Sequence, residues 1–104
     1  MMHVRVVYFE GCPNAKPAVE LVREVADEIG MTVTTELVCI SSAEEAHRER
    51  MHGSPTIQVN GLDVDPAQRS SEAYSFGCRV FRGGNGLPPR AMLAAALQET
   101  GTAS

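Results

Sequence analysis

No two cysteines in this chain are spaced for a local disulfide or a zinc site. The three present, Cys12, Cys39 and Cys78, form neither a Cys-x-x-Cys pair nor any Cys/His zinc spacing, so neither a structural zinc nor a cofactor is expected. No apolar run approaches the ~20 residues that a bilayer-spanning helix needs. No basic run exists either: 9 Lys+Arg stand against 13 Asp+Glu, for a net charge of −4, which argues against nucleic acid or an anionic membrane as the main partner. The start, Met1-Met2-His3-Val4-Arg5, lacks a charged region followed by a long apolar region and a small-residue cleavage site. A cytoplasmic location is therefore expected. An odd cysteine count without a signal does not fit a disulfide framework, so the thiols are expected to be reduced and any disulfide to be catalytic or regulatory.

At 104 residues the chain is read as one domain, 1–104, long enough to bury a core without staples. The alternation around Val4, Val6 and Tyr8 predicts a strand over 3–9, apolar on both faces and so central in a sheet. Val19, Val22, Val25, Ala26 and Ile29 make a helical stripe that ends at Gly30. Pro17 bears on where that helix starts: with Asn14 as N-cap it falls at the third helical position, where its missing N–H costs nothing, whereas a start at Pro13 would leave it as a kink. The β-branched stretch 32–40 predicts a second strand. Ser42-Ala43-Glu44-Glu45 has capping-box spacing and opens a short helix running to about Met51, ended by His52-Gly53. Thr56–Val59 is a third strand. Asn60-Gly61 is a hairpin signal that returns Leu62–Val64 as a fourth. Residues 65–77 read as an irregular loop, 78–82 as a possible further strand and 83–86 as a turn. A last helix opens at Pro88 or Pro89, with Met92, Leu93, Ala96 and Leu97 as its apolar stripe and Gly101 as its end. The class is α/β: a central mixed sheet of four to five strands with about three flanking helices, in the order β-α-β-α-β-β-α.

Cys12 follows the first strand directly, in Tyr8-Phe9-Glu10-Gly11-Cys12-Pro13-Asn14. Gly53-Ser54-Pro55-Thr56-Ile57 opens the third. With the element order, these motifs resemble the thioredoxin-like superfamily over roughly residues 3–64 and 88–100. Together with Cys78-Arg79-Val80 they resemble more closely a family of small bacterial thioredoxin-like proteins, some carrying selenocysteine and some labelled alkylmercury lyase-like. The resemblance implies a reactive thiol at Cys12 and a cis Ser54–Pro55 bond lying against its sulfur. It also implies that the backbone around Ser54, Pro55 and Thr56 pairs with a bound peptide or thiol. The chain departs from that pattern twice. Ala15 stands where the superfamily has its second cysteine, and the 65–77 stretch is long.

A thiolate is the nucleophile in such chemistry, and the unpaired N–H groups and dipole of a helix N-terminus favour negative charge. Having one thiol at the helix, Cys12 needs another to complete a cycle: a low-molecular-weight thiol, or Cys78. If 78–81 were the strand paired directly with the third, Cys78 would lie about 16 Å from Cys12, too far for a disulfide. If Asn60-Gly61 makes the hairpin, the 65–77 loop returns Cys78 toward Cys12, and this arrangement is favoured. Cys39 is expected to pack in the core. His52 is a candidate proton donor, although a solvated loop position is expected. Glu10, Asp63 and Asp65 are read as turn and surface residues, and Tyr74 and Phe76 as anchors of the long loop.

Three functions compete. The first is a thiol–disulfide oxidoreductase using Cys12, resolved by Cys78 or a small thiol, with a disulfide-containing protein or low-molecular-weight thiol as partner. The second is a soft-metal or organomercurial handling protein holding its ion between Cys12 and Cys78. The third is a non-catalytic binding module. Oligomeric state is not legible.

Overall fold

The computed structural model describes residues 2–79, 81 and 86–101, with residues 75, 76, 78, 100 and 101 described by their backbone alone. Strand β1 (Met2–Phe9) lies inside the sheet, as its two-sided apolar pattern requires. Met2, Val4 and Val6 enter one core with Val19, Val22 and Val25, while Val7 enters a second with Ile40, Ala46 and Met51.

Helix α1 (Ala15–Glu28) has Asn14 as N-cap and Pro17 as its third residue, and Gly30 follows it at φ 71, a conformation glycine adopts without strain. Strand β2 (Val33–Ile40) runs parallel to β1 in continuous register from Met2↔Val33 to Phe9↔Ile40. Helix α2 (Ala43–Arg48) is shorter than its sequence pattern suggests. Its capping box forms with a shift: Glu45 N–H donates to Ser42 Oγ at 3.1 Å, while the Glu45 carboxylate accepts from Ser41 N–H at 2.8 Å.

Beyond α2 the structure departs from the sequence reading. His52-Gly53 is not merely a helix stop, because His52–Ser54 form a short strand, β3. Strand β4 (Thr56–Val59) pairs antiparallel with β1, and Asn60 (φ 49) with Gly61 (φ 87) turn it into β5 (Leu62–Asp63). The 65–77 stretch is not wholly irregular. A 3-10 turn spans Pro66–Gln68, and β6 occupies Ser75–Cys78, ending where the sequence suggested that a strand would begin. Val80, Arg82 and residues 83–85 of the expected turn lie outside the described residues. Helix α3 (Arg90–Gly101) follows Pro89 and buries Leu93, Ala96 and Leu97.

The main sheet has the order β2-β1-β4-β5 and mixes parallel and antiparallel pairs; β3 and β6 form a separate parallel pair. Both α1 and α3 contribute to the core on the Val4–Val6 face, and α2 to the core on the Val7 face. The fold is α/β with a four-stranded mixed sheet and three helices, and no helix among the described residues is long and apolar enough to cross a membrane.

Two side-chain readings are corrected. Asp63 is 6% exposed and Asp65 2%, so neither is a surface residue. Asp63 is buried because Arg79, equally enclosed, grips it with both guanidinium arms at 2.8 and 2.9 Å. Asp65 caps the 3-10 turn by accepting from Ala67 N–H at 3.0 Å. Cys39 is not in the core either: it is exposed, because β2 is an edge strand whose outward residues have little to cover them.

Candidate functional site

Cys12 closes a β-turn off the end of β1. Its N–H donates to the Phe9 carbonyl at 3.2 Å, and Gly11 takes φ 87, as the third residue of a type II turn must. The turn delivers Cys12 half-buried just ahead of α1. Among the described residues no side chain caps that helix, and no acidic residue lies in its first turn; the charged residue there is Lys16. Asn14 does not cap because its amide is turned toward Gly86, where an added Cβ would come within 2.0 Å of Nδ2. The positive end of α1 is therefore left facing the Cys12 turn, which favours an anionic group there.

Beside Cys12 a groove of about 430 Å³ runs between α1 and the edge strand β2. Tyr8, Val19 and Leu37 give it an apolar floor and wall, and Lys16, Glu20 and Arg23 a charged rim. Leu37 is 53% exposed, the most exposed of the large apolar side chains among the described residues. Burial, then the neighbouring Cys39 sulfur, then the Glu10 carboxylate push the Tyr8 phenol above its ordinary value of 10.0.

Ser54, Pro55 and Thr56 lie across β1 from β2. Their Ser54–Pro55 bond is cis, as the resemblance implied. All three residues are buried, and the hydroxyls are engaged by the chain itself. Ser54 Oγ accepts from Phe9 N–H at 3.3 Å; Thr56 Oγ1 accepts from His52 N–H at 2.8 Å and donates to the Gly53 carbonyl at 2.7 Å. The backbone of Cys78 is brought beside Ser54 in the β3–β6 pair. The Cys78 side chain, and that of Phe76, lie outside the described residues.

His52 is turned elsewhere. Its ring lies tilted against Tyr74 at 4.9 Å, with His47 edge-on to the same tyrosine at 5.1 Å. Tyr74 thereby anchors the long loop. His52 Nδ1 is buried without a hydrogen-bond partner among the described residues and belongs to a cleft of about 40 Å³ that Cys12 does not line. Sequence reasoning missed the groove and the exposure of Cys39, because both depend on β2 being at the edge. It also missed the Asp63–Arg79 pair, whose members are 16 residues apart and share no short motif. Among the described residues no group of three or more His, Cys, Asp and Glu is arranged to hold a metal ion.

No protein-family model, curated protein or solved structure matches this chain.

Proposed function

We propose that this is a thioredoxin-like thiol–disulfide oxidoreductase working through Cys12. The observation that carries the reading is the placement of Cys12: half-exposed, on a turn that feeds the uncapped start of α1, and opening on a groove. The opening β-α-β-α-β order, the closing helix and the position of Pro55 directly before β4 support the fold assignment.

In this reading the Cys12 thiolate attacks one sulfur of a disulfide, the S–S bond breaks, and the departing thiolate takes a proton from water. The groove holds the group that remains attached to Cys12. A second thiolate, from Cys78 or a small thiol, then attacks the Cys12 sulfur and displaces that group. Ser54, Pro55 and Thr56 act through their backbone and by bracing the end of β1, since their hydroxyls are already engaged.

Turnover of a small disulfide with a thiol reductant tests this. Cys12→Ser is expected to lower the rate to that of the buffer while leaving the far-UV circular dichroism unchanged. Turnover retained in that variant would refute the proposal. Stoichiometric mercuric-ion binding by a wild type inert toward disulfides would favour the soft-metal reading instead.

A further inference from the structure

We propose that Cys39, rather than Cys78, is the thiol that closes on Cys12; this rests on the reading of Cys12 as the attacking thiol. Both groups share one side of the sheet. Along β1, Val4 and Val6 face the core that contains α1, and Tyr8 continues that alternation. The parallel register sets Leu37 beside Val6 and Cys39 beside Tyr8, so these β2 side chains belong to the α1 face as well. The pairing Tyr8↔Cys39 sets these two side chains next to each other on that face. Tyr8 and Leu37 in turn line the groove that Cys12 opens on. Cys12 and Cys39 thus flank one tyrosine on one face, and both are accessible.

The ladder also ranks the two candidates. Cys39 lies one strand from β1, about 4.8 Å. Cys78 stands outside the β1 ladder: it pairs with Ser54 in the separate β3–β6 pair, and Ser54 meets β1 through its Oγ, which accepts from Phe9 N–H at 3.3 Å. The β-turn keeps the Cys12 Cα within about 7 Å of that of Phe9. A disulfide needs Cα atoms about 4.4–6.8 Å apart. Closure therefore asks for movement of the short 10–14 segment, which no side-chain cap fixes to α1, and leaves the β1–β2 ladder in place.

The chemistry balances with the substrate disulfide as oxidant. Cys12 thiolate attacks RS–SR, the S–S bond breaks and RS⁻ leaves. Cys39 thiolate attacks the Cys12 sulfur of the mixed disulfide, the Cys12–SR bond breaks, and a second RS⁻ leaves. The two thiol protons end on the two RS⁻ groups. The protein is oxidised by two electrons to a Cys12–Cys39 disulfide, and RS–SR is reduced to two RSH.

The test treats the full chain with one equivalent of dithiobis(nitrobenzoate) and maps tryptic peptides without reduction. Arg23, Arg48 and Arg69 place the three cysteines in separate peptides. The expected result is a Cys12–Cys39 cross-linked peptide with both thionitrobenzoate halves released. In Cys39→Ser the adduct on Cys12 should persist at least about ten-fold longer than in the wild type. A Cys12–Cys78 cross-link would overturn the pairing and leave the Cys12 reading intact, as would a stable adduct on Cys12 with Cys39 unlinked. Labelling of Cys39 with none at Cys12 would overturn both.

Discussion

Replacing Asp63 by alanine should be among the most damaging single changes in the molecule. Asp63 and Arg79 have side chains only 5% and 4% exposed, and the pair is bidentate. The same carboxylate also accepts from Asp65 N–H at 2.8 Å. Arg79 has other neighbours: its guanidinium lies 4.1 Å over the Phe81 ring, and Nη1 is 3.4 Å from Thr56 Oγ1. None of these neutralises it. Alanine at 63 therefore takes from a buried cation its bidentate counter-charge and from the Asp65 N–H its side-chain acceptor. Breaking such a pair from one side costs about 3–5 kcal/mol. A domain of this size has a total stability of roughly 5–15 kcal/mol, so a large share is lost. The expected fall in Tm is on the order of 15 °C or more. Urea unfolding followed by circular dichroism measures the change, with unchanged m showing that the unfolded state is comparable. The double variant Asp63→Leu/Arg79→Met removes both charges, and should recover to within about 2 kcal/mol of the wild type. The argument fails if Asp63→Ala costs less than about 1 kcal/mol, the range of an exposed pair, or if the double variant shows the sum of the single losses.

Other outcomes follow from single positions. Gly53 has φ 90, and a Cβ there would lie 3.0 Å from Arg79 Cα and N; Gly53→Ala should therefore lose clearly more in thermal melts than Gly11→Ala, where φ is 87 but the space is open. Left-handed strain alone is worth about 1–2 kcal/mol, and equal losses at the two sites would contradict the close approach of β3 to Arg79. Glu49 has its carboxyl held below the ordinary value of 4.5, first by its hydrogen bond from Arg5. Its stabilisation is thus present above that value and fades as pH falls through the lowered folded value. Because the pair is partly exposed the effect is under about 1 kcal/mol, and Glu49→Gln should flatten the acid limb of a stability–pH curve by that amount.

What the sequence discloses well is whatever a short stretch decides by itself. Pro17 cannot sit deeper than the first turn, so it locates the start of α1 and with it the Cys12 turn. Asn60-Gly61 needs positive φ at both residues, so it commits the chain to the β4–β5 hairpin. Ser42 and Glu45 announce a capped helix three residues apart. What the sequence hides is decided by distant pairings. His52–Ser54 is three residues long, too short to carry a period, and is a strand only because β6 lies beside it. Asp63 sits in what reads as a polar turn, and nothing nearby reveals that Arg79 returns to bury it.

Cys39 shows how that limit bears on function. Leu37-Val38-Cys39-Ile40 is the kind of run found inside sheets, and its composition is indifferent to whether a neighbour covers both sides. Strand order decides the matter. With β2 outermost, Ile40 still buries toward α2, but Leu37 and Cys39 line or flank an open groove. The same edge that exposes Leu37 makes room for the Cys12 groove. In the proposed pairing the exposed Cys39 takes the place of a second helix cysteine, which Ala15 does not provide. Ala15 is buried as the first residue of α1 and contributes only its small side chain to the groove wall. In the proposed pairing a second thiol on β2 instead reaches the Cys12 turn from the solvent-open side of the groove.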